Sequence, residues 1–172
     1  IFRHSFTADY FLYDIASKKL NKLFDFAIQE PLFSPDGTKI AYAKDNNLYV
    51  YDIASKQTKQ ITTDGKKNHI INGITDWVYE EEFAFVRAFD WSADSKKIAY
   101  IRFDETMVPE FSMAVYKKDL YPKIETFKYP KAGEKNAIVS LHIFDVNSSA
   151  KKEVNLGNYN DFYIARMKWT ND

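Results

Sequence analysis

Apolar and polar residues alternate in short runs along most of this chain, and the runs return in the same order. KIAYAK at Lys39–Lys44 sets Ile40 and Tyr42 against Ala41 and Ala43, DNN at Asp45–Asn47 makes a turn, and LYVYD returns as a partner strand. YDIASK begins at Tyr13 and again at Tyr51, 38 residues later, with a weaker copy, FDVNSSAK, from Phe144. Each copy follows a short aromatic run: YFLYD, NLYVYD or LHIFD. A second element precedes such runs: FSPDGTKIAY at Phe33–Tyr42, WSADSKKIAY at Trp91–Tyr100, and a beginning of the same in KWTND at the end of the chain. In SPDG, Pro35 presets φ for the second turn position, Gly37 suits the fourth, and Ser34 and Asp36 can bond nearby backbone groups.

The unit therefore reads strand, SPDG-like turn, strand, short turn, strand, Ser/Lys turn, outer strand. At about 40 residues per unit, that is the pattern of a propeller blade. A β-sandwich of hairpins is the alternative, but a sandwich does not require the same turn at the same place in each unit. The expected fold is all-β: a partial β-propeller of about three to four four-stranded blades in an incomplete ring, two blades full and two partial. Ile1–Thr7 enters in mid-blade and KWTND stops where another blade would start. The expectation is that residues 1–172 are a fragment of a β-propeller domain, with unpaired strand edges when alone.

Composition narrows the function classes. The chain has 172 residues, 45% hydrophobic and 28% charged, which suits one domain with a real core. Its 24 basic residues balance 24 acidic ones, so there is no basic stripe for phosphate backbones, and nucleic acid is not an expected partner. No apolar run approaches the ~18 residues of a membrane span and no targeting segment is visible in the chain. Cysteine is absent and only three histidines occur, scattered at His4, His69 and His142, so no metal site and no cofactor are expected. Aromatic residues make up 17%, mostly Phe and Tyr, which suits half-buried sheet surfaces.

One segment breaks the alternation. ITDWVYEEEF, residues Ile74 to Phe83, puts Glu80, Glu81 and Glu82 beside Trp77, Tyr79 and Phe83. In a strand Glu80 and Glu82 would share a face. In a helical turn neighbours differ by about 100°, and Glu81 with Glu82 can flank one ligand. Asp76 suits the cap of such a turn, so a short helix over Trp77–Glu82 is expected, projecting from the propeller. Adjacent carboxylates among aromatic rings repel in a partly dry setting, and a bound cation would offset that cost. A run of glutamates is equally well a solvated face, and the residues alone leave both readings open.

DWVYEEEF resembles the glutamate motif of the dipeptidyl peptidase IV family of serine exopeptidases. NGITDWVYEEE, IAYIRFDETMVPEF and YPKIETFKYPKAGEKN follow in that family's order and spacing, and RHSF at Arg3–Phe6 resembles its upstream arginine motif, with Phe2 where tryptophan is often seen. The resemblance covers essentially the whole chain. It implies that Glu81 and Glu82 hold the free α-ammonium of a peptide substrate, that Arg3 binds a substrate carbonyl or carboxylate near the amino end, and that Glu80 is a bystander. It further implies removal of N-terminal dipeptides, preferentially after Pro or Ala, by a Ser/Asp/His triad in a C-terminal α/β-hydrolase domain of the same protein. An extracytoplasmic location and a homodimer formed through an extended arm at Val115 to Asn136 are also implied.

This chain is expected to contain no catalytic residues itself. Its five glycines are never four apart, so there is no GxSxG elbow. His4 and Ser5 adjoin without a partner carboxylate and are not read as catalytic. Asn147 in NSS matches a glycosylation sequon, which matters only in a eukaryotic secretory setting. Rival readings are a noncatalytic propeller that presents a protein-binding face, and a tripeptidyl or acyl-peptide hydrolase relative. The paired Glu81 and Glu82 favour dipeptides over either.

Overall fold

The structure, a computed structural model, describes residues 2–170. Its strands are β1 (Phe11–Asp14), β2 (Lys19–Lys22), β3 (Gln29–Phe33), β4 (Lys39–Lys44), β5 (Asn47–Asp52), β6 (Gln57–Gln60) and β7 (Ile70–Asn72). After the helix α1 (Trp77–Glu82) come β8 (Phe89–Trp91), β9 (Lys97–Asp104), β10 (Glu110–Val115), β11 (Lys123–Lys128), β12 (Ile138–Asp145) and β13 (Lys151–Glu153).

The repeated motifs become repeated geometry. In the three YDIASK-like turns Asp14, Asp52 and Asp145 each accept both the amide and the hydroxyl of the serine three residues on, Ser17, Ser55 and Ser148. The chain then passes through the left-handed region at Lys18, Lys56 or Ser149 before the return strand begins. In the SPDG turn Ser34 Oγ donates to Asp36 and the amide of Gly37 to the Ser34 carbonyl, and Ser92, Asp94 and Ser95 repeat the arrangement. The two turns touch: the amide of Asp36 donates to Ser95 Oγ at 3.0 Å. The DNN turn places Asp45 and Asn46 at φ 50° and 60°, the twist a two-residue hairpin needs.

Two full blades result. The first is β3-β4-β5-β6, antiparallel throughout. The second runs β13-β12-β9, and both β7 and β8 pair with the remaining edge of β9: Asn72 opposes Arg102 and Phe89 opposes Tyr100. The innermost strand of this blade is thus split, and the chain between Asn72 and Phe89 makes an excursion. The ladder survives the break, since the amide of Gly73 donates to the Ile101 carbonyl, the amide of Ile101 to the Ala88 carbonyl, and the amide of Ala88 to the Gly73 carbonyl. Gly73 suits this seam because its φ is +74° and an added Cβ would lie 3.0 Å from Leu48 Cδ1. Beyond it Ile74 bridges Arg87 and the Thr75 amide donates to the Val86 carbonyl, forming a narrow neck.

The core lies between blades. Ala41, Leu48, Val50 and Ile61 of the first pack against Phe89, Trp91, Ile98 and Phe144 of the second, and Trp91 Nε1 donates to the Leu32 carbonyl. A second cluster joins Ile71, Ile101, Phe103 and Val139 to Val78 and Tyr79 of α1. β1 and β2 form the two-stranded part of a further blade, with Phe11, Tyr13 and Leu20 exposed. Asn171 and Asp172, which complete the KWTND copy, lie outside the described residues, as does Ile1, and residues 154–170 carry no strand.

The extended arm is a regular hairpin, β10-β11, in which Phe111 opposes Phe127 and Val115 opposes Lys123. It begins at Glu110, before the Val115 expected from sequence, because EFSMAV alternates and pairs as a strand of its own. At its base Tyr129 lies 4.3 Å from the Trp77 ring and Phe127 lies 5.8 Å from Phe2.

Candidate functional site

The excursion ends in α1, whose bounds and cap match the sequence expectation. Asp76 is extended at φ −78° and ψ −178°, and its Oδ1 accepts the amide of Tyr79 at 3.0 Å. The helix is held down by Tyr79, whose ring sits 4.9 Å from Phe103 and 5.0 Å from Phe83, and whose hydroxyl accepts the amide of Ile164. Val78 and Tyr79 pack into the core, and each later residue of the helix is turned about 100° from the one before it, so the three glutamates face different surroundings. Glu80 is 1% exposed, Glu81 is partly covered and Glu82 is exposed.

The three glutamates therefore have different surroundings. Glu80 Oε1 accepts the backbone amides of His4 and Ser5, the latter at 2.8 Å, while its Oε2 is buried without a hydrogen-bond partner among the described residues. Glu81 Oε2 lies 3.3 Å from Arg3 Nη1, with the Glu81 side chain 13% exposed and the Arg3 side chain 74% exposed. Glu82 borders an open groove with Trp77, Pro130, Lys131 and Tyr163, and no cation of the described residues lies within 4 Å of its carboxylate. Arg3 and Glu81, 78 positions apart in sequence, are thus brought together, and Glu82 follows on the same helical turn.

Acidic groups crowd the base of the site. Burial pushes the Asp76 carboxyl up to about 6 against the pull of the helix amides. Glu105 is pushed up to about 7, first by burial and then by the Asp76 charge, with Lys128 opposing. Glu30 sits at φ 51° beside the β-bulge of β3, and its carboxyl is raised by burial, lowered by Arg87 at 3.6 Å, and raised by the Glu80 charge.

Glu80, expected to be a bystander at the ligand, makes its contacts with the protein itself. It is the most enclosed of the three acids and the one that accepts backbone amides of the Arg3 segment, while Glu81 meets the Arg3 side chain. The letters around it carry no signal of this, since Glu80 lies about 100° from Tyr79 and about 200° from Val78 around the helix. Ser5 is buried and its hydroxyl accepts the amide of Phe2 at 2.8 Å, a local turn contact rather than an activated nucleophile.

Residues 1–172 match the family described as dipeptidyl peptidase IV (DPP IV) N-terminal region. A probable dipeptidyl-aminopeptidase B of Trichophyton verrucosum (strain HKI 0517) is 42% identical over 160 residues, covering 84% of this chain and 18% of the relative. The human prolyl endopeptidase FAP is 36% identical over 182 residues, covering all of this chain and 24% of its own. Among solved structures, the Porphyromonas gingivalis dipeptidyl peptidase 4 superposes over the whole chain with a TM-score of 0.94 at 42% identity, using 25% of that protein. A putative dipeptidyl aminopeptidase IV from Bacteroides ovatus shares the fold with a TM-score of 0.64 at 23% identity, over 91% of this chain and 21% of its own. The chain thus spans roughly a fifth to a quarter of the length of these relatives. Its all-β blades, its inserted helix and these likenesses agree: the chain belongs to the dipeptidyl peptidase IV family and corresponds to part of the family's N-terminal β-propeller region.

Proposed function

We propose that this chain is the substrate-recognition part of a serine-type dipeptidyl peptidase that removes N-terminal dipeptides, preferentially after Pro or Ala. The observation that carries the reading is the Arg3–Glu81 pair at 3.3 Å, set on a helix that leaves the blade through a break in its inner strand. Arg3 occupies one side of Glu81 Oε2 and relieves part of the repulsion from Glu82. The remaining acceptor positions of Glu81 and the exposed carboxylate of Glu82 then receive the three N–H donors of a substrate ammonium. An α-amino group has an ordinary pKa of about 8 and is largely cationic at neutral pH.

Anchoring the amine makes the site a ruler. An extended dipeptide spans roughly 7 Å, so the bond presented to a nucleophile is the second from the amino end. That nucleophile belongs to a C-terminal α/β-hydrolase domain of the same protein, and residues 1–172 bind without cleaving. The length of the relatives and the absence of a GxSxG elbow support this division. The β10-β11 arm, with Met113, Tyr116, Leu120, Tyr121 and Ile124 exposed, is proposed as a homodimer contact, and the protein as extracytoplasmic. No helix among the described residues is long and apolar enough to cross a membrane.

The test compares two substrates of the complete protein, a dipeptidyl-proline amide with a free amine and its N-acetylated form. The free-amine form is expected to be cleaved and the acetylated form to resist. Equal cleavage of both would remove the ammonium clamp from the reading, and cleavage of neither would favour a noncatalytic scaffold.

A further inference from the structure

We infer that Glu80 is a positioning residue that holds Arg3 at the glutamate pair by gripping the backbone next to it. The inference rests on the clamp reading above and adds a third acid to it with a separate task. Three observations meet at this residue. Its side chain is 1% exposed, although nothing in the apolar packing of α1 requires a carboxylate there. One of its oxygens receives the successive amides of His4 and Ser5, from a segment 75 residues away in sequence. Its other oxygen is buried without a hydrogen-bond partner among the described residues, so the acid is retained despite an unsatisfied atom.

The arrangement explains how a long exposed side chain can be held in place. The Arg3 side chain is 74% exposed and its contact with Glu81 is a single ion pair, which by itself is a weak restraint. The backbone is fixed instead. Successive N–H groups converging on one anion form a nest, and a charged acceptor strengthens both bonds. The turn is closed on its other side by the Phe2 amide donating to Ser5 Oγ and by the Phe2 ring against Phe127. Arg3 thus projects from a clipped turn whose acceptor and whose ionic partner are adjacent residues of one helix. Any shift of α1 carries the guanidinium and Glu81 together, which keeps their spacing constant.

The test uses the complete enzyme and a free-amine dipeptidyl amide. Glu80→Gln keeps the volume and one carbonyl acceptor but loses the charge, and Glu80→Asp keeps the charge but shortens the reach. Both variants are expected to raise KM by about tenfold with kcat within about twofold, the scale of a weakened charge-assisted hydrogen bond acting on binding. A purely structural defect would lower the active fraction, and so the apparent kcat, at unchanged KM. The second readout is coupling: Glu80→Gln added to Arg3→Ala should change KM little beyond Arg3→Ala alone. Unchanged KM in both single variants, or a full additive loss in the double variant, would overturn the inference. If Arg3→Ala itself leaves KM untouched, the clamp reading has failed instead.

Discussion

If the full-length protein is the peptidase proposed above, replacing Glu81 by alanine separates recognition from stability, and the structure sets the scale of each. At the 3.3 Å of the Arg3–Glu81 contact, two unit charges attract by about 1.3 kcal/mol with the dielectric of water and about 5 kcal/mol at an effective value of 20. With Arg3 74% exposed, the free protein sits near the lower figure, and entropy reduces it further. Loss of the pair should therefore cost the fold about 1 kcal/mol at most. On the proposed clamp reading, a substrate ammonium would displace water from the same carboxylate and move toward the stronger regime. Removing its partner should cost about 2 to 5 kcal/mol in kcat/KM, roughly 30-fold to 5,000-fold. Glu82→Ala is expected in the same range, since each acid would be left to hold the ammonium alone. The assay is steady-state cleavage of a free-amine dipeptidyl amide, with a thermal melt of each variant alongside. Near-normal cleavage by both variants would refute the reasoning, as would an activity loss that simply tracks a fall in melting temperature.

Two further outcomes follow from the buried groups around α1. Asp76 and Glu105 are raised to about 6 and about 7, above their ordinary 3.8 and 4.5, so the folded protein binds protons that the unfolded chain does not. Their contribution should make the region more stable as pH falls from about 7 to about 4, read as hydrogen-exchange protection of residues 76–83, and Glu105→Gln should flatten that slope. Tyr79→Phe removes the acceptor of the Ile164 amide and should lower the urea-unfolding free energy by about 1 kcal/mol while leaving KM near normal.

Much of the scaffold was legible because its turns carry their own chemistry. The Asp and Ser of YDIASK cap the same hairpin in every copy, and the Ser and Asp of SPDG shape the other turn at that end of the blade, where Lys39 opposes Asp52, so like letters meant like geometry. The helix was legible because Asp76 supplies a cap where the alternation of two stops. The split inner strand was not, since β7 and β8 have three residues each, too few to display a period. Nor was the task of Glu80. Its partners are main-chain amides near the start of the chain, and an amide leaves no trace in the side-chain letters.

The seam at Gly73 and Ala88 has a bearing on how such a protein diversifies. Both sides of the excursion are stitched to Ile101 and to each other, so the sheet edge is complete whatever the chain does in between. Spurs of other length or charge fit this rim without breaking the hydrogen-bonded edge, provided they keep an apolar pair such as Val78 and Tyr79 to fill the core beneath. New specificities can in this way arise on an unchanged chassis.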